Sequence, residues 1–282
     1  MAKRWISVPS RTKEILEKYD LRAKKGFGQN FLVDPVIVQR CADDAHCEGL
    51  VIEIGPGIGS LTEQLALRAK KVIAYEVDED LIPILADTLQ DYDNVEVILQ
   101  DFLTADLKKL VPEWQKEYGM VTVCANLPYY ITTPVLFKIF EEAPQIPYIT
   151  VMVQKEVGER FAAAVGSPQY SALSVEGQYL YNVKRLFTVP GRSFNPSPNV
   201  DSVIIQFASR GAKHEEIDTE EFFTLVRACF KQRRKTVYNN LREYTGDGQR
   251  AEEILQKADI PASLRAQQLT VEQMIRIYEA NQ

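Results

Sequence analysis

The sequence predicts an α/β fold: a doubly wound, mostly parallel seven-stranded sheet over residues 1–208, then a small all-helical domain over residues 209–282. Three observations carry that expectation. From residue 51 strand-like apolar runs alternate with helical ones, as in successive β–α–β units. A glycine-rich turn follows the first of these strands, where an open α/β sheet forms its ligand crevice. Beyond Ser209-Arg210-Gly211 the β-rich pattern stops, and from Thr219 the chain reads as helix.

Taken in order, Pro9 and Ser10 start a helix within Ser7–Asp20, and Ile15, Leu16 and Tyr19 form its apolar stripe. A basic, glycine-punctuated loop from Lys24 to Leu32 follows, and Asp34-Pro35 caps a helix carrying Val36, Ile37, Val38 and Cys41. Val51–Ile54, Lys71–Val77, Val95–Leu99, Val121–Ala125 and Tyr148–Val153 read as strands. Leu61–Ala69, Asp80–Leu89, a stretch near Trp114, Val135–Phe140 and Glu156–Val165 read as helices. The late runs Leu173–Tyr181 and Val203–Phe207 are β-rich and are expected to form an antiparallel edge. A turn at Thr245-Gly246-Asp247-Gly248 divides the C-terminal helices, and no internal repeat occurs.

With 45% hydrophobic and 26% charged residues in 282, the composition is that of an ordinary globular protein. No apolar run approaches the roughly 18 residues of a membrane span, and no apolar segment follows the basic start, so neither membrane nor secretory signal is expected. Cys41, Cys47, Cys124 and Cys229 are scattered, mostly among apolar neighbours, and read as reduced thiols of a cytoplasmic protein. Cys41, His46 and Cys47 lie close together, but His214 is the only other histidine and no second ligand pair exists, so no metal site is expected. The net charge of −6 hides two basic patches. Residues 1–25 hold eight Lys/Arg against three acids, and the 21 residues from Phe222 to Arg242 hold six and no acid.

Chemistry is suggested first by Asn126-Leu127-Pro128-Tyr129-Tyr130, directly after the strand at Val121–Ala125. Pro128 fixes its own φ and keeps Leu127 out of the helical region, so the turn is extended and stiff. It places a neutral amide, a backbone carbonyl and an aromatic face at a strand's C-terminal end. The two oxygens can accept both hydrogens of an exocyclic amine while Tyr129 stacks on a flat base. The plainer alternative is a proline-terminated strand with two core tyrosines. Cys124 lies inside the strand and lacks the preceding proline expected of cytosine-5 methylation.

The glycine-rich turn is Glu53-Ile54-Gly55-Pro56-Gly57-Ile58-Gly59-Ser60. A dinucleotide fingerprint wants its third glycine where Ser60 stands, and no Gly-Lys-Ser/Thr phosphate loop occurs. The acid followed by Gly-x-Gly-x-Gly resembles the S-adenosylmethionine (SAM) turn of class I methyltransferases. Alone it leaves a nicotinamide enzyme open. Two further strand ends sharpen it. Glu76, 21 residues past Gly55, ends the second strand, where a carboxylate accepts ribose hydroxyls. Asp101-Phe102 ends the third, offering an acceptor for a purine amine and a ring for its face. Singly, each acid reads first as a helix cap or a solvated charge.

Phe27-Gly28-Gln29-Asn30-Phe31-Leu32, the Glu53–Gly59 turn, Asn126-Leu127-Pro128-Tyr129 and the Phe194–Ser202 segment together resemble the KsgA-type ribosomal RNA adenine dimethyltransferases along essentially the whole chain. The resemblance implies a class I SAM-dependent methyltransferase fold with SAM as cofactor. It also implies that Asn30, Leu32, Gly55, Glu76, Asp101 and Asn126 contact SAM, with Gln29, Gly57, Val77 and Phe102 completing the candidate set. The implied catalytic group is Asn126, Leu127, Pro128 and Tyr129, with Phe194 facing Tyr129 across the base. The implied reaction dimethylates two adjacent adenines in the 3′-terminal hairpin loop of 16S rRNA, on the immature 30S subunit, by a cytoplasmic monomer. Position 130 is Tyr where some relatives carry Asn.

Arg227, Lys231 and Arg234 fall at i, i+4 and i+7, so they share one helical face. With Lys235, and with Lys24 and Lys25 near the Gly28–Leu32 loop, they are the candidate RNA contacts. Two rival readings share the fold: an Erm-type adenine methylase of 23S rRNA, and a non-catalytic nucleic-acid-binding factor of the mitochondrial transcription factor B kind.

Overall fold

The structure is a computed structural model that describes residues 4–24, 26, 28–211 and 216–282. Lys25 and Phe27, singled out above, lie outside the described residues, as does His214. The chain divides into two compact units. The first runs to Gly158 and resumes at Lys184–Ser209; the second comprises Glu159–Val183 and Arg210–Gln282.

In the first unit the elements are α1 (Pro9–Lys18), β1 (Phe31–Leu32), α2 (Pro35–Asp43), β2 (Leu50–Ile54), α3 (Ser60–Ala66) and β3 (Lys71–Glu76). They continue with α4 (Ile82–Thr88), β4 (Val95–Leu99), α5 (Leu107–Tyr118), β5 (Val121–Asn126), α6 (Thr132–Glu142) and β6 (Tyr148–Gln154). The chain passes into the second unit within α7 (Lys155–Phe161), forms α8 (Ala172–Leu180), and returns along β7 (Tyr181–Val189) to β8 (Phe194–Asn195) and β9 (Ser202–Ser209).

Seven strands form one sheet in the order β4-β3-β2-β5-β6-β9-β7, and β1 and β8 make a separate antiparallel ribbon. β2 pairs in parallel with β3 and β5, β3 with β4, and β5 with β6, whereas β9 runs antiparallel to β6. The sheet is therefore a mostly parallel, class I methyltransferase-type sheet with late strands at one edge. From β2 the chain builds outward through β3 and β4, then returns to lay β5 on the other side of β2. That reversal opens a crevice at the C-terminal ends of β2 and β5. β2 is buried along its whole length, as a central parallel strand must be.

The second unit holds α8 together with α9 (Thr219–Phe230), α10 (Val237–Thr245), α11 (Gly248–Lys257) and α12 (Val271–Asn281). Its core is aromatic: Tyr179 packs on Phe222 and Phe223 with ring centroids 4.7 and 6.0 Å apart, and Phe222 meets Tyr278 at 5.8 Å. Asp218, Thr236, Asp247 and Thr270 cap the four last helices. Gly246, in the left-handed region at φ 72°, ends α10 just before Asp247 begins α11.

Two expectations are corrected here. Leu173–Tyr181 is not a strand: Ala172–Leu180 is helical, begun by Ser171 N–H donating to Ser174 Oγ at 3.0 Å. The β-branched and aromatic residues that favoured a strand are overridden by packing, because the helix puts Tyr179 against α9. Consequently residues 159–183 join the C-terminal helices, and the division is not the single break expected at 208/209. Among the described residues no helix is long and apolar enough to cross a membrane.

Candidate active site

The C-terminal ends of β2, β3, β4 and β5 surround a cavity of about 290 Å³. Every catalytic and cofactor candidate named from the sequence lines it.

The turn after β2 comes first. Gly55 adopts φ +70°, and a Cβ there would lie 3.5 Å from the Pro128 ring, so the two turns flanking the crevice meet at a residue with no side chain. Gly59, at φ +92°, caps α3, and a Cβ on it would press Leu89 at 3.1 Å. Glu53, inside β2, reaches the cavity wall yet is 1% exposed. Burial pushes its carboxyl up to about 8. Its Oε2 has no hydrogen-bond partner among the described residues. An orphaned buried carboxyl oxygen against a cavity is a place for a cation or a donor.

Glu76, at the end of β3, is oriented by three backbone donors. Its Oε1 accepts from Val77 and Asp78 N–H, both at 2.9 Å, and its Oε2 from Gly57 N–H at 3.4 Å. Burial raises its carboxyl and these bonds oppose the rise. The fixed carboxylate keeps lone pairs free for a diol. Asp101 is both a cap and a wall: Oδ1 accepts from Leu103 N–H at 2.9 Å while the residue lines the cavity. Phe102 is buried edge-on against Tyr75, centroids 5.4 Å apart. Val77 lies on the rim, exposed.

The loop before β1 covers one side. Lys24 Nζ pairs with Asp78 at 2.7 Å and Asp80 at 2.6 Å, and Gln29 Nε2 donates to Asp78 at 2.8 Å. The Gln29 carbonyl oxygen in turn accepts from Lys24 N–H at 2.9 Å. These bonds tie the loop to the segment after β3 and occupy both ends of the Gln29 amide. Asn30 Nδ2 donates to Gly28 O at 3.0 Å, leaving its oxygen for the cavity. Leu32 is buried and pairs with Phe194 in the β1–β8 ribbon.

Asn126 closes β5. Among the described residues neither its side-chain amide nor the Leu127 carbonyl has a hydrogen-bond partner, although Leu127 N–H donates to Met152 O at 3.2 Å. The Pro128 carbonyl is occupied, accepting from Ile131 N–H and Thr132 Oγ1, both at 3.2 Å. The Leu127 N–H, the Pro128 carbonyl and the Tyr129 hydroxyl are thus taken up within the fold, while among the described residues the Asn126 amide and the Leu127 carbonyl stay open. Tyr129 is half-buried, with its hydroxyl 2.7 Å from Ser202 Oγ. Tyr130 is 55% exposed, and its ring lies 3.4 Å from where a Gly28 Cβ would be, so it flanks the N-terminal loop at the mouth. Phe194 is 4% exposed and belongs to the core around Leu32 and Cys124, and it also lines the cavity.

The basic candidates are dispersed. α9 stops at Phe230, where the buried Asn240 amide donates to Cys229 O at 2.8 Å and accepts from Gln232 N–H at 3.2 Å. Arg227, Lys231 and Arg234 therefore do not share one helical face, and Asn240 takes up the Cys229 carbonyl at the helix's end. Arg227 pairs with the fully buried Glu176 at 2.8 Å and Lys231 with Glu243 at 2.7 Å. Arg234 and Lys235 stand exposed on the turn between α9 and α10.

Sequence reasoning placed the walls of this cavity and passed over two occupants of it. Glu53 was noticed as part of its turn but given no task; its signal, an acid inside an otherwise apolar buried strand, was available. Tyr75 was read only as a strand residue, and its contact with Phe102 has no local signal.

A model of the ribosomal RNA adenine dimethylase family matches residues 20–282. The chain is 48% identical to a Bacillus pumilus ribosomal RNA small subunit methyltransferase A, over 96% of both chains. It is also similar to a crystal structure of a Plasmodium falciparum dimethyladenosine transferase (TM-score 0.72, 27% identity, 88% of this chain and 95% of that one). The 23S rRNA methyltransferase ErmE is similar at TM-score 0.66 and 30% identity, over 89% of this chain and 99% of its own. A family match over nearly the whole chain, on a sheet of this topology, shows that the chain belongs to the ribosomal RNA adenine dimethylases.

Proposed function

We propose that this enzyme, an rRNA adenine methyltransferase that uses SAM, dimethylates the N6 amines of two adjacent adenines in the 3′-terminal hairpin loop of 16S rRNA, on the immature small subunit, as a cytoplasmic monomer. The observation that carries the reading is the pair of open acceptors, Asn126 and the Leu127 carbonyl, on the cavity that the acidic side chains of Glu53, Glu76 and Asp101 also line. Support for the small-subunit target comes from the relative 48% identical over 96% of both chains, whose name specifies that subunit, against 30% for the 23S enzyme.

The acceptor-rich lining fits SAM. Glu53 would hold its ammonium, the fixed Glu76 carboxylate its ribose hydroxyls, and Asp101 with Phe102 its adenine. SAM supplies an electrophilic methyl group. The chain's own work is on the nucleophile. An adenine amine is weak because its lone pair is conjugated into the ring. Asn126 Oδ1 and the Leu127 carbonyl each accept one amine hydrogen, which draws the nitrogen toward a pyramidal geometry with its lone pair directed at the methyl group. Positioning and preorganised acceptors account for most of the rate. A neutral amide also accepts a monomethylated amine for a second round. Tyr129 stacks on one face of the flipped base and Phe194 bounds the other. Arg234 and Lys235 contact rRNA phosphates, while Lys24, Arg227 and Lys231 are held in ion pairs within the chain.

The experiment is to incubate the enzyme with labelled SAM and unmethylated small subunits, then map and count the methyl groups. Two on each of two adjacent adenines near the 3′ end is the expected result. Label confined to 23S rRNA overturns the proposal in favour of the Erm-type reading.

A further inference from the structure

Tyr129 differs from every other polar group on the Asn126–Tyr130 turn in having a side-chain partner across the sheet. Its hydroxyl is 2.7 Å from Ser202 Oγ. Ser202 is fully buried and is the first residue of β9, in register with Gln154 at the end of β6. β6 lies beside β5, with Met152 opposite Asn126, so Ser202 stands at the same end of the sheet, two strands from the acceptor pair. The corner before it is tied twice: the Asp201 carboxylate accepts from Gly191 N–H at 3.0 Å, and its carbonyl accepts from Lys155 N–H at 3.1 Å. Burial and the nearby Asp201 charge hold the Tyr129 phenol above its ordinary range, so it stays a neutral hydroxyl able to share a proton with serine.

The geometry points to Ser202 as a positioning residue: its hydroxyl anchors the far end of the Tyr129 ring and sets the plane on which the target base stacks. A phenyl ring held only at Cβ rocks about its side-chain torsions, which are broad for aromatic residues. A second anchor at the hydroxyl, on a buried strand with a doubly tied corner, removes that freedom. The base plane then sets where the amine sits relative to Asn126 Oδ1 and the Leu127 carbonyl, and small misplacements at a transfer site are costly. Ser202 touches neither base nor cofactor in this arrangement and acts through Tyr129. The inference rests on the proposal that Tyr129 is the base platform.

The test is a double-mutant cycle on the full-length enzyme, with single-turnover methylation of unmethylated small subunits and SAM affinity measured for each variant. Tyr129→Phe and Ser202→Ala delete the same bond from opposite ends, so one remains informative if the other misfolds. Each is expected to slow methyl transfer about threefold to tenfold with SAM affinity unchanged. The double variant is expected to be no slower than the worse single one. A small subunit carrying 2-aminopurine at the target position adds a stacking readout: quenching on binding weakens equally in both single variants. Wild-type rates in both variants, or losses that multiply in the double, overturn the anchoring role. Tyr129→Ala separates the two levels. If it methylates normally, the platform itself is wrong; if it is inactive while Tyr129→Phe and Ser202→Ala are normal, only the anchor is.

Discussion

Two sets of polar groups in this protein meet opposite fates. On the cavity, Glu53 Oε2, the Asn126 amide and the Leu127 carbonyl have no hydrogen-bond partner among the described residues. In the helical unit, Arg227 and Lys231 look from composition like free cations, yet Glu176 and Glu243 take them up. Buried polar groups are normally satisfied, so an open one beside a cavity implies a ligand to complete it. A cation already paired inside the chain has its charge committed to the fold and has less to offer a phosphate. A local run of charge is thus weaker evidence of binding than an unmet hydrogen bond.

The contrast can be broken from the cavity side first. Tyr129→Ala removes the stacking face and should slow methyl transfer about a hundredfold while SAM affinity stays within about twofold. An equal loss of SAM binding in a titration would show that the ring serves the cofactor instead.

Glu53→Gln is the next largest. With its carboxyl near 8 in the free protein, Glu53 is protonated at neutral pH, and a bound ammonium holds it ionised. SAM binding should therefore release a proton and tighten as pH rises toward 8. The glutamine variant should bind roughly tenfold more weakly at pH 8 and lose that pH dependence, as titration calorimetry in buffers of different ionisation enthalpy will show. Stability runs the other way. A folded carboxyl pKa above the unfolded value of about 4.3 contributes fully below that value and is lost as pH rises through 8. The cofactor-free variant should melt higher than wild type at pH 8.

The cations give the smallest effects. Arg234→Ala and Lys235→Ala should each weaken rRNA binding about threefold and lower the slope of log affinity against log salt by about one. Lys231→Ala should leave that slope unchanged. Arg227→Ala should also leave it unchanged but lower the melting temperature, because it removes an ion-pair partner of the buried Glu176 carboxylate at a cost of about 2 kcal/mol, reduced from the fully buried case by the 43% exposure of the arginine side chain. A steeper loss of rRNA binding in Arg227→Ala than in Arg234→Ala would reverse the distinction drawn between paired and exposed cations.

What was legible in the sequence follows the range of the interactions involved. The strands from Leu50 to Gln154 and the turns at Glu53–Gly59 and Asn126–Tyr129 are local patterns of apolar periodicity, glycine and proline. They bring the cavity lining together because a doubly wound sheet gathers its strand ends on one side. The residues of α8 favour a strand by local preference, and their helix depends on Tyr179 packing on Phe222, some forty residues on. The end of α9 was missed because it depends on Asn240, ten residues downstream, whose side chain gives no local sign that it will cap. The Tyr129–Ser202 bond spans 73 residues and is visible only once β6 and β9 are paired.

The central claim is that the two acceptors left open after β5 hold the target amine. Its most direct test is Asn126→Ala, with single-turnover methylation of unmethylated small subunits and SAM affinity measured on the same preparation. Loss of transfer by about two orders of magnitude or more, with SAM still bound to within a few-fold of wild type, is the predicted result. Methylation of both adenines at close to the wild-type rate would contradict it.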